Sequence, residues 1–413
     1  MNSGDTAWVL ISTALVLFMT PGLAFFYGGM VRARNLLAML MQNFFAMGLI
    51  GVIWVLVGFS LAFGNLGDGG WLGDLSHVGL SGVGAKTGAG LTIPFVLFAA
   101  YQMTFAIITP ALITGATADR LKFGAYAVFI ALWSLLVYAP VAHWVFGGGW
   151  LAARGALDFA GGAVVHVNAG AAALAVVLVI GRRKGWPHEP MPPHSLPWTL
   201  IGTGILWFGW AGFNAGSALA ANGVAAQALL NTFVAASAGM LGWLVAERLK
   251  DGHATTLGAA SGAVAGLVAI TPAAGFVGSG PAIAIGALAG AVCFLALGLK
   301  RRFGFDDALD VIAVHLVGGM LGSILVGLWA DASVNPAVKT LSSEGLLAGG
   351  GARLLGEQVL ASSVVLAFSF TVSFVIAKVL DATIGLRISE ETEDRGMDLA
   401  LHAESAYSMS DLG

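Results

Sequence analysis

Eleven stretches of about twenty or more mostly apolar residues recur along the chain, at roughly 6–31, 36–63, 91–117, 123–146, 160–181, 198–218, 223–247, 256–276, 281–299, 308–330 and 355–380. A helix needs ~20 such residues to cross the ~30 Å hydrocarbon core of a bilayer. Only helices and closed barrels satisfy their backbone groups in lipid. Barrel strands would show a ~10-residue alternation, which these runs lack. The expected fold is therefore all-α and integral to the membrane, with eleven transmembrane helices. Composition agrees: 58% of the 413 residues are hydrophobic and 10% are charged, against about 25% charged in soluble domains. A soluble globular domain and a disordered chain are both excluded. A net charge of −3 gives no basic footprint for nucleic acid. The 59 glycines suit helices whose backbones approach closely. The lone cysteine, Cys293, has no internal disulfide partner and reads as packing.

Orientation follows from the basic residues. With the N-terminus outside, fifteen of the nineteen Lys and Arg fall on the cytoplasmic side, leaving Lys86, Arg154, Lys339 and Arg353 outside. That asymmetry is the positive-inside signature. It puts the N-terminus out and the C-terminus in, as an odd number of spans requires. No Lys or Arg precedes Arg32, so the first run reads as a retained helix and not as a cleaved signal. The expected organisation is a transmembrane domain over 1–380 and a cytoplasmic tail over 381–413.

Two segments align without gaps, DFAGGAVVHVNAG at 158–170 and DALDVIAVHLVGG at 307–319. In each, His lies eight residues after Asp and Gly lies four residues after His. The first copy belongs to the fifth helix and the second to the tenth. Five helices per copy is odd, so the second half enters the membrane from the opposite face. This predicts an inverted five-helix pseudo-repeat, with halves at about 6–181 and 198–330, plus an extra helix at about 355–380. Transporters built this way place their substrate path near the midplane between the halves. At 1.5 Å per residue each His lies ~12 Å beyond its Asp, which brings His166 and His315 toward the centre from opposite sides.

Ionisable groups inside a membrane are costly and mark functional positions by default. A metal site would want three or four ligands. Only His143, near the outer end of the fourth helix, offers itself as a third, and no metal or cofactor is expected. Two neutral imidazoles instead hydrogen-bond to each other and still present polar atoms to a small solute. Asp158 opens its helix, where Asp is a favoured N-cap that complements the dipole. Asp307 and Asp310 read the same way. An intramembrane hydrolase built on Asp158 and His166 lacks a nucleophile.

With these residues in view, the chain resembles the ammonium transporters (the Amt/Mep/Rh family), nearest to the bacterial Amt branch. The likeness is carried by the 158–170 segment, WFGWAGFNAGSA at 207–218 and GLRISEETEDRGMDLALHAESAY at 385–407. PGLAFFYGGMVRARN at 21–35, QMTFAIITPALITG at 102–115 and the 310–315 segment agree too. The resemblance implies an eleven-helix protomer, a homotrimer with one pore per subunit, and a multi-pass place in the plasma or inner membrane. It maps an outer substrate vestibule onto Phe146, Phe105, Phe213 and Ser217. The pore histidines map onto His166 and His315, and the acid below the vestibule onto Asp158. Trp210 and Thr271 fall at further pore-associated positions. Phe146, in HWVFGGG at 143–149, stands where many bacterial members have Trp. Phe is the weaker cation–π partner and donates no hydrogen bond.

The function the resemblance implies is recruitment of ammonium (or methylammonium) at the vestibule, deprotonation, and passage of ammonia along the histidine pair. The proton either returns or crosses separately. The alternative is an ammonium sensor that signals through its tail and transports little. Neither is an enzyme. Surrounding lipid and a PII signalling protein at the cytoplasmic face are the implied partners. The acidic Glu390, Glu391, Glu393 and Asp394 beside Arg387 and Arg395 read equally as a docking surface or a solvated stretch.

Overall fold

The apolar runs become helices, because each carries its own backbone hydrogen bonds and needs no partner strand. The computed structural model describes residues 1–88 and 90–407. The last six residues of the expected tail, 408–413, lie outside the described residues. Nine helices are long and apolar enough to cross a membrane among the described residues. They are α1 (Ser3–Met30), α2 (Ala33–Phe63), α3 (Phe95–Thr117), α4 (Phe123–Arg154), α5 (Gly162–Ile180), α7 (Gly223–Asp251), α9 (Ser279–Phe303), α10 (Ile312–Trp329) and α11 (Arg353–Thr383). Two shorter helices complete the series, α6 (Leu196–Trp210) and α8 (Thr256–Ile270). No strand forms among the described residues, which hold only the isolated bridges Thr87–Pro94 and Leu121–Arg387.

The short helices have local causes. α6 does not stop at Trp210 but runs on through a wide turn, Ala211–Ala215, and a tight one, Gly216–Ala218. The 256–276 run gives regular helix only to Ile270, because Pro272 has no N–H to continue it. The following residues close in turns, with the Ala273 and Phe276 N–H groups donating to Ile270 and Ala273.

α5 and α10 cross where both are thinnest. A methyl group on Gly170 would come within 2.5 Å of the Leu316 nitrogen, and one on Gly319 within 3.0 Å of the His166 Cβ. The two glycines that follow the two histidines thus let each helix lie against the other's histidine turn.

At the opposite end from the N-terminus, a buried ionic lattice ties the helix ends together. Arg183 forms a two-pronged pair with Asp306, Nε to Oδ2 and Nη2 to Oδ1 both 2.9 Å. Fully buried Arg120 donates to the carbonyls of Gly181, Ala118 and Asp306. Burial works to raise the Asp306 carboxyl, but the Arg183 and Arg120 guanidiniums outweigh it and hold it below its ordinary value.

The tail packs onto this lattice. Glu393 is wholly buried, accepting from Arg387 Nη2 at 2.7 Å and from the Lys184 N–H at 2.7 Å. The Asp398 carboxylate takes the Leu37 and Ala38 N–H groups at the start of α2. Asp394 makes an exposed pair with Lys184, while Glu390 and Glu391 stay in solvent. The acidic stretch is therefore part docked and part solvated.

Candidate functional site

Each histidine sits in a widened turn, Gly162–Val167 or Ile312–Val317, at the start of its helix. Each turn is anchored by the aspartate before it. Asp158 accepts the N–H groups of Gly161, Gly162, Ala163 and Val164 at 2.6–3.1 Å. Asp307 accepts those of Val311 and Ile312 at 3.1 and 2.7 Å. Free N–H groups at a helix start need acceptors, and a carboxylate there also meets the positive end of the dipole.

The two turns bring His166 and His315 together with Nδ1 to Nδ1 at 3.1 Å and ring centroids 5.2 Å apart. Both rings are buried, and the His166 Nε2 has no hydrogen-bond partner in the protein. One Nδ1 must donate to the other, because each neutral ring carries a single N–H. Phe213 stacks on His166 at 6.0 Å and 16°, and Trp210 lies against it at 5.6 Å and 26°. Trp210 is fixed in turn by its Nε1–H to the Thr271 hydroxyl at 2.9 Å, which itself donates to the Leu267 carbonyl.

These rings border a slot whose other walls include Leu23, Phe26, Leu112 and Leu206. Its open volume is about 10 Å³, roughly what one water-sized molecule needs. Phe105 meets Phe213 at 4.5 Å, both 1% exposed. Four residues beyond Phe213, Ser217 faces a separate outer cavity of about 470 Å³ that Phe146, Asp158, Phe159, Asn222 and Asn335 also line. The Ser217 hydroxyl donates to the Phe213 carbonyl at 2.8 Å and lies 3.1 Å from the Tyr101 hydroxyl. On the side of the buried lattice a third cavity, of about 410 Å³, is edged by Met30, Arg183, Lys300, Leu309 and Asp310.

The nine expected site residues thus fall into two connected groups. His166, His315, Phe213, Phe105, Trp210 and Thr271 form one continuous set of contacts, while Phe146, Ser217 and Asp158 line the outer cavity. Trp144 is absent from that cavity's wall: its Nε1–H reaches the Trp71 carbonyl and its ring packs on Phe368. Sequence reasoning missed Tyr101, whose hydroxyl donates to the Gly212 carbonyl at 2.8 Å beneath Ser217. A tyrosine in an apolar run is a usable signal, since a buried hydroxyl seeks a partner. It also missed Asn335. His143 turns its ring nitrogens to the Ala62 carbonyl and the Asp68 carboxylate, so neither is left for a metal shared with His166. No cluster of three or more His, Cys, Asp or Glu suited to a metal stands among the described residues.

Over nearly its whole length the chain is similar to known proteins. The family profile described as Ammonium Transporter Family matches residues 7–407. A protein named "Ammonium transporter" from Mycobacterium tuberculosis (strain ATCC 25618 / H37Rv) is 51% identical over 434 residues, spanning 98% of this chain and 90% of the relative. The crystal structure of Candida albicans Mep2 superposes with a TM-score of 0.89 at 36% identity, over 95% of this chain and 87% of that one. A structure titled "Sensor Amt Protein" superposes at 0.87 with 28% identity, over 96% and 98% of the two chains.

Proposed function

The chain belongs to the ammonium transporter family, a multi-pass membrane protein by its helices, and from that premise we propose that it recruits ammonium ion in the outer cavity, removes its proton, which either returns to the outer solution or crosses separately, and conducts ammonia through the slot. The observation that carries this reading is the histidine pair, 3.1 Å apart, in a passage only about 10 Å³ in volume.

An aromatic face is worth ~0.5–2 kcal/mol to a cation, which Phe146 supplies at the outer cavity. Ser217 gives its proton to the Phe213 carbonyl, so its oxygen turns lone pairs toward an N–H donor. These attractions do not carry an intact ion further. Moving an ion from water to low dielectric costs of order ~20 kcal/mol, still several after relaxation, and the Phe105–Phe213 pair offers no counter-charge. Ammonium stripped of its extra proton, as neutral ammonia, escapes that cost. It is small enough for the slot and finds in His166 Nε2 an unused polar atom. Potassium has no proton to lose and is excluded at this step.

On this reading all eleven helices cross the membrane, N-terminus outside, in two inverted halves related through Asp158–Gly170 and Asp307–Gly319. The protein works as a homotrimer in the plasma or inner membrane, and a PII-type protein docks at the cytoplasmic face. The deciding experiment applies ammonium and then potassium pulses to purified protein in proteoliposomes on a solid-supported membrane, with an internal pH dye. Current or alkalinisation with ammonium alone supports transport. The second reading, a sensor with little flux, is favoured by the likeness to the Sensor Amt Protein and by the docked tail. It requires ammonium binding with neither signal.

A further inference from the structure

Phe146 caps the long segment of α4, which ends at Val145 and breaks at three consecutive glycines before the short Trp150–Arg154 helix, so no continuing helix holds its ring at the outer cavity. The turn after it is held by the loop that follows α2. Gly67 and Gly69 donate their N–H groups to the Gly147 and Gly148 carbonyls at 2.8 and 3.1 Å, and Trp150 donates to the Gly70 carbonyl at 3.0 Å. The approach is close: a methyl on Gly148, whose φ is +73°, would stand 2.7 Å from the Gly67 Cα. Two side chains span this junction, Trp144 through its Nε1–H to the Trp71 carbonyl at 2.7 Å, and His143. His143, fully buried one turn before Phe146, sets Nδ1 3.1 Å from the Ala62 carbonyl at the end of α2 and Nε2 3.3 Å from Asp68 Oδ1 in the loop. The same Asp68 oxygen accepts the Gly70 N–H at 2.6 Å, fixing the loop's own bend.

We propose that His143 and Asp68 are positioning residues for ammonium recruitment: together they clamp the outer loop to the turn that ends the long segment of α4 at Val145, and so hold the Phe146 ring at the cavity wall. Neither side chain is among those lining that cavity, so they act through Phe146 and not on the ion. The inference rests on the reading of Phe146 as part of the recruitment site. It gives buried His143 a task that the pore does not use.

The test measures ammonium-evoked current against concentration in proteoliposomes, normalised to protein amount, for Asp68→Ala, Asp68→Asn, His143→Gln and Phe146→Ala, and for Asp68→Ala and His143→Gln in the Phe146→Ala background. Asp68→Ala and His143→Gln should each raise the half-saturating concentration about three- to tenfold, the size of a weakened cation–aromatic contact, with maximal current retained. Asp68→Asn keeps an oxygen acceptor for the Gly70 N–H and a polar amide facing His143 Nε2, able to accept from it or donate to it according to the ring's tautomer, and should stay near wild type. In the Phe146→Ala background neither change should shift half-saturation further. The proposal is overturned if Asp68→Ala and His143→Gln lower only the maximal current, if they leave half-saturation unchanged, or if their effect persists without the Phe146 ring. If Phe146→Ala itself leaves half-saturation unchanged, the recruitment reading fails and the clamp's purpose falls with it. A loss confined to the clamp variants' maximal current, beside a shifted Phe146→Ala, rejects the clamp alone.

Discussion

The Nδ1 atoms of His166 and His315 face each other at 3.1 Å although 149 residues separate them in the chain. Each arrives there by the same local device, an aspartate cap, a widened turn and a histidine eight residues on. Replacing both by Ala removes the slot's polar wall. Losing hydrogen bonds of about 1–1.5 kcal/mol to the passing solute should cut ammonium-dependent flux about tenfold or admit potassium current. A double variant with wild-type rate and selectivity, read on the same membrane assay, would rule out the pore assignment.

At the outer cavity, Phe146→Trp enlarges the aromatic face and adds an N–H. A gain of about 0.5–1 kcal/mol should lower the half-saturating ammonium concentration a few-fold. Concentration-dependent currents settle it, and unchanged or weaker affinity would count against a vestibule at Phe146.

Gly170→Ala tests the crossing of α5 and α10. The added methyl meets the Leu316 backbone at 2.5–2.7 Å, which neither helix relieves without moving. Overpacking of this kind costs about 1–3 kcal/mol. A lower unfolding temperature in detergent together with reduced ammonium flux is expected, because the displaced segment carries His315.

The Asp306 lattice sets a pH limit. Its carboxyl is held below the ordinary value, so its stabilising contribution is complete above the unfolded value of about 3.9 and is lost as pH falls through the lower folded one. Asp306→Ala should therefore destabilise at neutral pH by about 3–5 kcal/mol, since it takes the nearer carboxylate from buried Arg183 and Arg120 and leaves Arg183 only Asp119 at 3.4 Å. Stability of the variant should also fall less steeply than wild type below about pH 4. Thermal melts across pH in detergent read both.

Much of the site was legible because its spacing repeats. The Asp-to-His interval and the following glycine appear twice, and the same offset puts each histidine in a widened turn just after its aspartate. Phe105, Phe213, Ser217 and Trp210 needed the family motifs, since one aromatic among 24 Phe and 12 Trp carries no label of its own. Other features depend on partners distant in sequence. Whether Glu393 is solvated is decided by Arg387 and the Lys184 backbone. His143 looked like a spare ligand until Asp68 and Ala62 met its two nitrogens. The end of α8 at Ile270 was readable from Pro272, but apolar content masked it.

The histidine pair has one further property. A single hydrogen bridges two like nitrogens, so there are two arrangements, with the donor in the first half or in the second. Turning one ring's tautomer obliges the other to answer. The turns that present the rings match, but Trp210 and Phe213 stack against His166, so a bridge donated from the first half is not equivalent to one donated from the second.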